Sequence, residues 1–341
     1  MVRENPETSI VIVNYNSFDD LKLCINSIIK NSYKDYEIVI VDNEGNSEID
    51  KLRNKKIRII KSKFNSGYAG GNNLGIKNAY GKYICILNPD IEIEKNSLKK
   101  LVNIMKKNKI IKLCQPKILL KENRSLINTD GNKAHYLGFG YCGNYGKLDS
   151  DKNIGLIEVP YTSGACFIAE KRVLAKLNMF DKDFFMYHED FDLGVRARLN
   201  GYKVMVYKDS KVYHNYRFSK NGLKNYHIEK NRLISIFKTY EFKTILVILP
   251  VFLLTEMAVI FLSIKQFWFR EKLRSYFFIL LNLRKILKKR CEIQRHRKIK
   301  DVELFVCFAN KIDFPLLNPI CMDYFNYFTD KYYRLLKKVI R

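Results

Sequence analysis

Two β-branched runs, residues 9–13 (SIVIV) and 37–41 (EIVIV), bracket a stretch of helical apolar spacing, and this alternation constrains the chain more than any other feature. Runs of Ile and Val suit strands covered on both faces. Between them Ser17 suits a helix N-cap, and Leu21, Cys24, Ile25, Ile28 and Ile29 recur at the period of one helix face. Strand, helix, strand is a βαβ unit. A third run at 57–60 is followed by a Gly- and Asn-rich turn, a helix through Ala79 and a strand at 83–87. The expected fold class is α/β with a mainly parallel sheet, in which ligands sit beyond the carboxyl ends of the strands. Those ends carry Asn14-Tyr15-Asn16, Asp42-Asn43 and Asn88-Pro89-Asp90, which read as a site.

Several function classes lose their basis. No G-x-G-x-x-G follows the first strand and no G-K-[ST] loop is present, which argues against nicotinamide and simple ATPase chemistry. With 341 residues, 47% of them hydrophobic, and only 7 prolines, the chain has a real core and is not mainly disordered. Eight cysteines without a C-x-x-C pair read as reduced thiols of a cytosolic protein. The start, MVRENPETS, has no apolar segment of the secretory kind, so a cytosolic catalytic part is expected. No repeat of solenoid length is visible.

The formal net charge of +26 predicts a polyanionic partner. It is unevenly spread: residues 211–341 hold 27 basic and 10 acidic side chains. That asymmetry separates an expected catalytic domain, 1–240, from a helical C-terminal region, 241–341.

The pieces SIVIVNYNS, EIVIVDNEGNS, NSGYAGGNNLGI, YICILNPD, SGACFIAEKRVLAKLNMFDKDFFMYHEDFDLGVRARLNGY and KVYHNYR stand in one order over residues 8–240. Together they resemble the family 2 glycosyltransferases, within them the rhamnosyltransferase-like and galactofuranosyltransferase-like members. The resemblance implies a GT-A fold and a metal-dependent, inverting transfer from a nucleotide-diphosphate sugar, dTDP-rhamnose or a UDP-hexose. The acceptor would be a hydroxyl of a lipid-linked or growing surface glycan.

Residue by residue, Asp42 matches the acid that accepts from a pyrimidine N3–H; otherwise it is a turn Asp. Asn14, Asn16, Asn65, Gly67, Gly71, Asn72 and Asn88 join it as donor-binding candidates, the glycines because they let backbone approach a phosphate or ribose. Asn88-Pro89-Asp90 corresponds to the family's D-x-D element with its first acid replaced by Asn, leaving Asp90 to supply the carboxylate for Mg²⁺ or Mn²⁺. His214 matches a further metal ligand. In Tyr187-His188-Glu189-Asp190-Phe191-Asp192, Asp190 aligns with the acid expected to take the acceptor hydroxyl's proton, with Glu189 and Asp192 as acceptor-binding candidates. Asp192 could equally be an N-terminal helix acid. Gly164 and Ala165 are expected as a small-residue floor beneath the sugar, and Arg196 and Arg198 could meet diphosphate or pair with these acids.

Lys230-Asn231-Arg232 resembles a basic segment of the same branch. Residues 244–264 form an apolar run broken by Pro250, Thr255, Glu256 and Ser263, long enough for a membrane span. A mid-bilayer Glu256 would cost about 2.5–3.5 kcal/mol. Nine basic residues against one acid follow in 284–300. Apolar and basic residues so interleaved favour helices lying on the anionic cytoplasmic face of a membrane over a span or hairpin. Two other classes fit the residues less well. A nucleotidyltransferase would want a basic phosphate loop where Asn14, Tyr15 and Asn16 stand, and a nucleic-acid binder would leave the strand-end acids unexplained. The last 40 residues, rich in aromatics, carry no interpretable motif.

Overall fold

The computed structural model describes residues 6–45, 47–150, 152–216, 222–315 and 319–340. The chain begins β1 (Thr8–Asn14), α1 (Phe18–Lys30), β2 (Tyr36–Asp42), β3 (Ile57–Lys61), α2 (Gly67–Asn78) and β4 (Tyr83–Leu87). It continues through β5 (Ile91–Ile93), α3 (Ser97–Lys107), β6 (Ile111–Leu120), β7 (Ile127–Thr129), β8 (Lys133–Ala134), β9 (Gly140–Tyr141) and β10 (Leu156–Glu158). Then come β11 (Cys166–Glu170), α4 (Lys171–Lys176), α5 (Glu189–Leu199), β12 (Lys203–His214), α6 (Gly222–Thr239), α7 (Phe242–Lys265), α8 (Phe269–Leu281), α9 (Leu283–His296), α10 (Asp301–Leu304) and α11 (Pro319–Val339).

The main sheet runs β10-β12-β6-β11-β4-β1-β2-β3, with β5 on β12 and β7 on β6. β1, β2, β3 and β4 are parallel, while β11 runs antiparallel between β4 and β6. Ile10, Ile12, Ile38 and Ile40 face one core layer and Val11, Val39, Ile84 and Ile86 the other, the period-two division expected of strands buried on both sides. Leu21, Cys24, Ile25 and Ile28 of α1 are buried as their spacing predicts, whereas Ile29 faces solvent. Ser17 stands at the α1 N-cap, but its hydroxyl donates to Asn14 Oδ1 at 3.0 Å and caps no helix N–H.

The Gly- and Asn-rich stretch is not a free turn. It is the body of α2, and its glycines let that helix approach the sheet. A Cβ on Gly71 would lie 2.7 Å from Val13 Cγ1, and one on Gly75 2.3 Å from Val11 Cγ1. Gly67, at φ +68°, has a second reason: a Cβ there would meet the Phe185 carbonyl at 2.4 Å.

A third core joins the two halves of the sequence. Tyr136, Tyr161, Phe191 and Leu199 pack with Ile236, Tyr240, Ile248, Val251, Phe305 and Leu336. The division expected at 240/241 therefore falls inside shared packing. α7 docks through Thr244, Ile248, Val251, Thr255, Glu256 and Ser263. Buried Glu256 pairs with Arg232, with Lys272 at 2.8 Å and with the Tyr276 hydroxyl at 2.6 Å, while Glu229 completes the cluster on Arg232 and Lys272. The acid that interrupts the apolar run thus faces protein. The opposite face of α7 exposes Leu246, Leu253, Leu254, Met257 and Phe261, continued by Phe267, Phe277 and Leu281.

Candidate active site

The carboxyl ends of β1 and β2 are held by Glu44, which the sequence did not single out. Its carboxylate accepts from Asn14 Nδ2 and from the N–H of Asn16, both at 2.7 Å, and Asn16 sits in the left-handed region at φ +51°. Asp42 is buried at the end of β2, where its Oδ1 accepts from the N–H of Glu44 at 3.2 Å and of Gly45 at 3.0 Å. It closes a turn at the carboxyl end of β2.

At the start of α2, Asn65 Oδ1 accepts from the Gly67 N–H at 2.9 Å, and Asn43 Nδ2 donates to the Gly67 carbonyl at 3.1 Å. Gly67, Gly71 and Asn72 were expected to line a donor pocket. Their surroundings correct this: Gly67 abuts Phe185, Gly71 abuts β1, and buried Asn72 donates to the Tyr68 carbonyl at 2.9 Å within its own helix. Close packing accounts for the two glycines, while the Asn72 Oδ1 is buried without a hydrogen-bond partner.

Asn88, Ala165, Gly164 and Asp190 form a connected series. The Asn88 N–H donates to the Ala165 carbonyl at 2.9 Å, and the Gly164 N–H donates to Asp190 Oδ2 at 2.9 Å. Tyr68 donates to the Gly164 carbonyl at 2.5 Å, and a Cβ on Gly164 would lie 3.0 Å from that hydroxyl. Gly164 is thus clamped between Tyr68 and Asp190. Burial pushes the Asp190 carboxyl up to about 6, against the pull of the Gly164 and Phe191 N–H groups. Burial, then the neighbouring Asp190, pushes Glu189 well above the usual carboxylate range. Two adjacent acids so placed favour one ionised and one protonated member, the division that acid–base work requires.

Asp192 does not join them. It is fully buried and ion-paired to Arg196 and Lys238, both at 2.8 Å, with Lys238 running on to Asp181 at 2.7 Å. Its expectation as an acceptor ligand is corrected to a support under the first turn of α5. Arg196 and Arg198 are likewise occupied, Arg196 by Asp192 and the Met179 carbonyl, Arg198 by Glu158 at 2.8 Å. A cavity of about 680 Å³ opens beside this network, between residues 175–183 and α9. Its Asp181 and Asp183 are already paired with Lys238, Lys285 and Lys289.

Asp90 and His214 meet across the sheet, because β5 pairs with the end of β12 in register His214 to Ile91. Their Oδ1 and Nε2 lie 3.3 Å apart, and Asp90 Oδ1 is buried without a hydrogen-bond partner. His214 Nδ1 faces Asn128 Oδ1 at 3.0 Å. With Nδ1–H donating there, Nε2 presents a lone pair to a carboxylate oxygen, two acceptors that a cation would reconcile. This donor set fits a divalent ion. Among the described residues no group of three such side chains exists, so diphosphate and water would complete the shell.

Lys230 and Asn231 acquire a role only in the fold. Asn231 Nδ2 donates to the carbonyls of Phe184, Met186 and Tyr187, and Lys230 Nζ to that of Asp183. They hold the loop leading into Glu189-Asp190, where Phe185, Tyr187 and His188 all have positive φ.

Residues 9–177 match the family model described as Glycosyl transferase family 2. The low-salt glycan biosynthesis hexosyltransferase Agl10 of Haloferax volcanii is 31% identical over 197 residues, 56% of this chain and 62% of that protein. A UDP-Glc:alpha-D-GlcNAc-diphosphoundecaprenol beta-1,3-glucosyltransferase of Escherichia coli, WfaP, is 34% identical over 24% of this chain and 34% of its own length. The chain thus spans less than two thirds of each. Among solved structures, GalNAc-T7 with UDP, GalNAc and Mn²⁺ superposes with a TM-score of 0.59 at 19% identity, over 71% of this chain and 50% of that one. Staphylococcus aureus TarS 1–349 with UDP superposes at 0.53 and 17% identity, over 97% and 90%. These likenesses show the fold. Sequence match and sheet architecture agree: residues 9–177 match the Glycosyl transferase family 2, on a GT-A fold followed by a helical C-terminal region.

Proposed function

We propose that the protein is an inverting glycosyltransferase that moves a sugar from a nucleotide diphosphate to an acceptor hydroxyl, with Asp190 as the base. The observation that carries this is the part-buried Asp190 carboxylate, pushed up to about 6 and aimed by the Gly164 N–H, next to Glu189, whose carboxyl burial and Asp190 push well above the usual carboxylate range. Glu189 hydrogen-bonds an acceptor hydroxyl. Asp190 takes the hydroxyl proton as that oxygen forms its bond to the anomeric carbon, and the bond from that carbon to the diphosphate breaks on the opposite side, inverting the centre. Asp90 and His214 would hold Mg²⁺ or Mn²⁺, which supplies charge neutralisation at the departing diphosphate. Asp42 receives the base, with Asn14, Asn16, Asn65 and Asn88 near the donor.

The activities of the relatives, a hexosyltransferase and a UDP-Glc glucosyltransferase, support a UDP-hexose over dTDP-rhamnose and a lipid-linked glycan acceptor. The exposed apolar face of α7 to α9, bordered by Arg270, Arg284, Lys288 and Arg295, supports seating on the anionic cytoplasmic face of a membrane. α7 is long and apolar enough to span, yet Glu256 ties its other face to the catalytic part. The reading therefore is a monotopic one.

The test is a screen of nucleotide sugars for nucleoside diphosphate release, with and without Mn²⁺. Release from a UDP-hexose that requires the ion and disappears in Asp190→Asn is expected; release from none of the donors overturns the proposal.

A further inference from the structure

A ladder of aromatic rings leads away from the candidate metal pair. His214 and Tyr216 have ring centroids 5.5 Å apart, Tyr216 and Tyr145 5.8 Å, Tyr145 and Phe314 5.5 Å, and Phe314 and Tyr141 6.4 Å. The planes are tilted by 53–66°, and Tyr141, Tyr145, Tyr216 and Phe314 are each only partly buried. This is not core packing, whose rings in this molecule, such as Tyr136, Phe191 and Phe305, are closed off from solvent.

The ladder is built from distant parts of the chain. Tyr141 ends β9, Tyr216 follows β12, and Phe314 comes from the segment between α10 and α11. That segment is fastened just before Phe314: Tyr141 donates to the Lys311 carbonyl at 2.8 Å, and Asn326 of α11 exchanges hydrogen bonds with the Ile312 backbone at 2.7 and 3.0 Å. A Cβ on Gly140, the residue before Tyr141 in β9, would lie 3.2 Å from the Phe191 ring, so the strand that carries Tyr141 packs against the residue that follows Asp190.

Its position in the sheet separates it from the donor's base. Asp42 ends β2 and His214 ends β12, five strand steps apart in the sheet order, roughly 24 Å at the usual strand spacing. Asp90, between them, marks the diphosphate. What lies beyond His214 belongs to the other substrate.

We propose that Tyr145, Tyr216 and Phe314 form the acceptor subsite, receiving the C–H face of the acceptor's sugar ring next to the hydroxyl that reaches Asp190. A pyranose has one face lined by C–H groups of partial positive charge, which the negative face of an aromatic ring attracts, while its hydroxyls stay free at the rim. The C-terminal segment is then part of the substrate site. This assignment rests on the glycosyltransferase reading and deepens it.

The test uses the full chain in detergent and saturation-transfer NMR with octyl glycosides of glucose, galactose, N-acetylglucosamine and rhamnose. The expected result is transfer to the axial C–H protons of at least one glycoside, with affinity reduced at least tenfold by Phe314→Leu and Tyr145→Leu and retained by Phe314→Tyr. Leu keeps bulk without a π face, and an unchanged thermal midpoint separates lost binding from lost folding. Binding of no glycoside by the wild type, or equal binding by the Leu variants, overturns the subsite. Failure of every nucleotide sugar to release nucleoside diphosphate, with glycosides still bound through these rings, overturns the transferase reading instead.

Discussion

Asn231 donates to the carbonyl of Tyr187 at 2.7 Å, and the same amide reaches the Phe184 and Met186 carbonyls at 3.1 Å. Three of the residues around it, Phe185, Tyr187 and His188, are held at positive φ, a conformation costing about 1–2 kcal/mol per residue. The amide compensates by satisfying carbonyls that the distorted loop leaves outside any ladder. Asn231→Ala should lose about 1–3 kcal/mol of stability and lower kcat more than the donor KM, since Glu189 and Asp190 follow this loop directly. Asn231→Asp should be worse than Ala, because an acceptor would then face three acceptors. Denaturation midpoints and steady-state kinetics on both variants check this; equal kcat in Ala and wild type would sink it.

Asp190→Asn should retain nucleotide binding and lose transfer by at least 10²-fold, the scale of a lost general base. In the wild type, transfer should fall as pH drops through about 6, where Asp190 takes up its proton. The sign for stability is opposite to that of an ion-paired acid. A carboxyl raised on folding makes the native state bind more protons, so stability declines as pH rises from about 4 to about 6. The Asn variant should therefore melt higher than wild type at neutral pH, measured by calorimetry.

Removal of divalent ions should abolish transfer. Asp90→Ala and His214→Ala should each weaken Mn²⁺ binding in the presence of UDP, read by titration calorimetry or electron paramagnetic resonance, with Asp90→Ala the more severe. Full turnover in excess chelator would refute the assignment of this pair.

Glu256→Ala leaves Arg232 and Lys272 buried with Glu229 as their remaining acid, and should cost about 3–5 kcal/mol. Burial alone would raise the Glu229 carboxyl, but Arg232 and Lys272 outweigh it and hold the group at about 2. Its contribution is complete above the ordinary value of 4.5 and is lost as pH falls toward about 2. Acid should thus loosen the C-terminal helices from the catalytic part, visible as increased amide exchange in α7 and α8.

Phe267, 96% exposed, and Leu281 should insert into lipid. Phe267→Asp with Leu281→Asp should abolish sedimentation with phosphatidylglycerol vesicles in high salt, while wild type is only partly released by salt. Recovery of the wild type in the supernatant at low salt would exclude the membrane seat.

The sequence by itself determined the βαβ frame, because two-sided burial demands unbroken Ile and Val runs, and it determined which strand ends bear polar groups. The resemblance of the ordered pieces to the family 2 glycosyltransferases brought Asp90, His214 and Asp190 forward as candidates. Only tertiary structure decided what neighbouring polar residues do. Asp190 and Asp192 are two positions apart on one helical turn, yet one meets the Gly164 N–H and the other is sealed between Arg196 and Lys238. The α2 glycines read as ligand contacts until Val11, Val13 and Phe185 stand against them. Glu256 reads as a flaw in a span until Arg232 and Lys272, 24 and 16 residues away, take up its charge. Local pattern sets periodicity and therefore burial, but the partner of a polar group comes from another part of the chain, and periodicity holds no record of it.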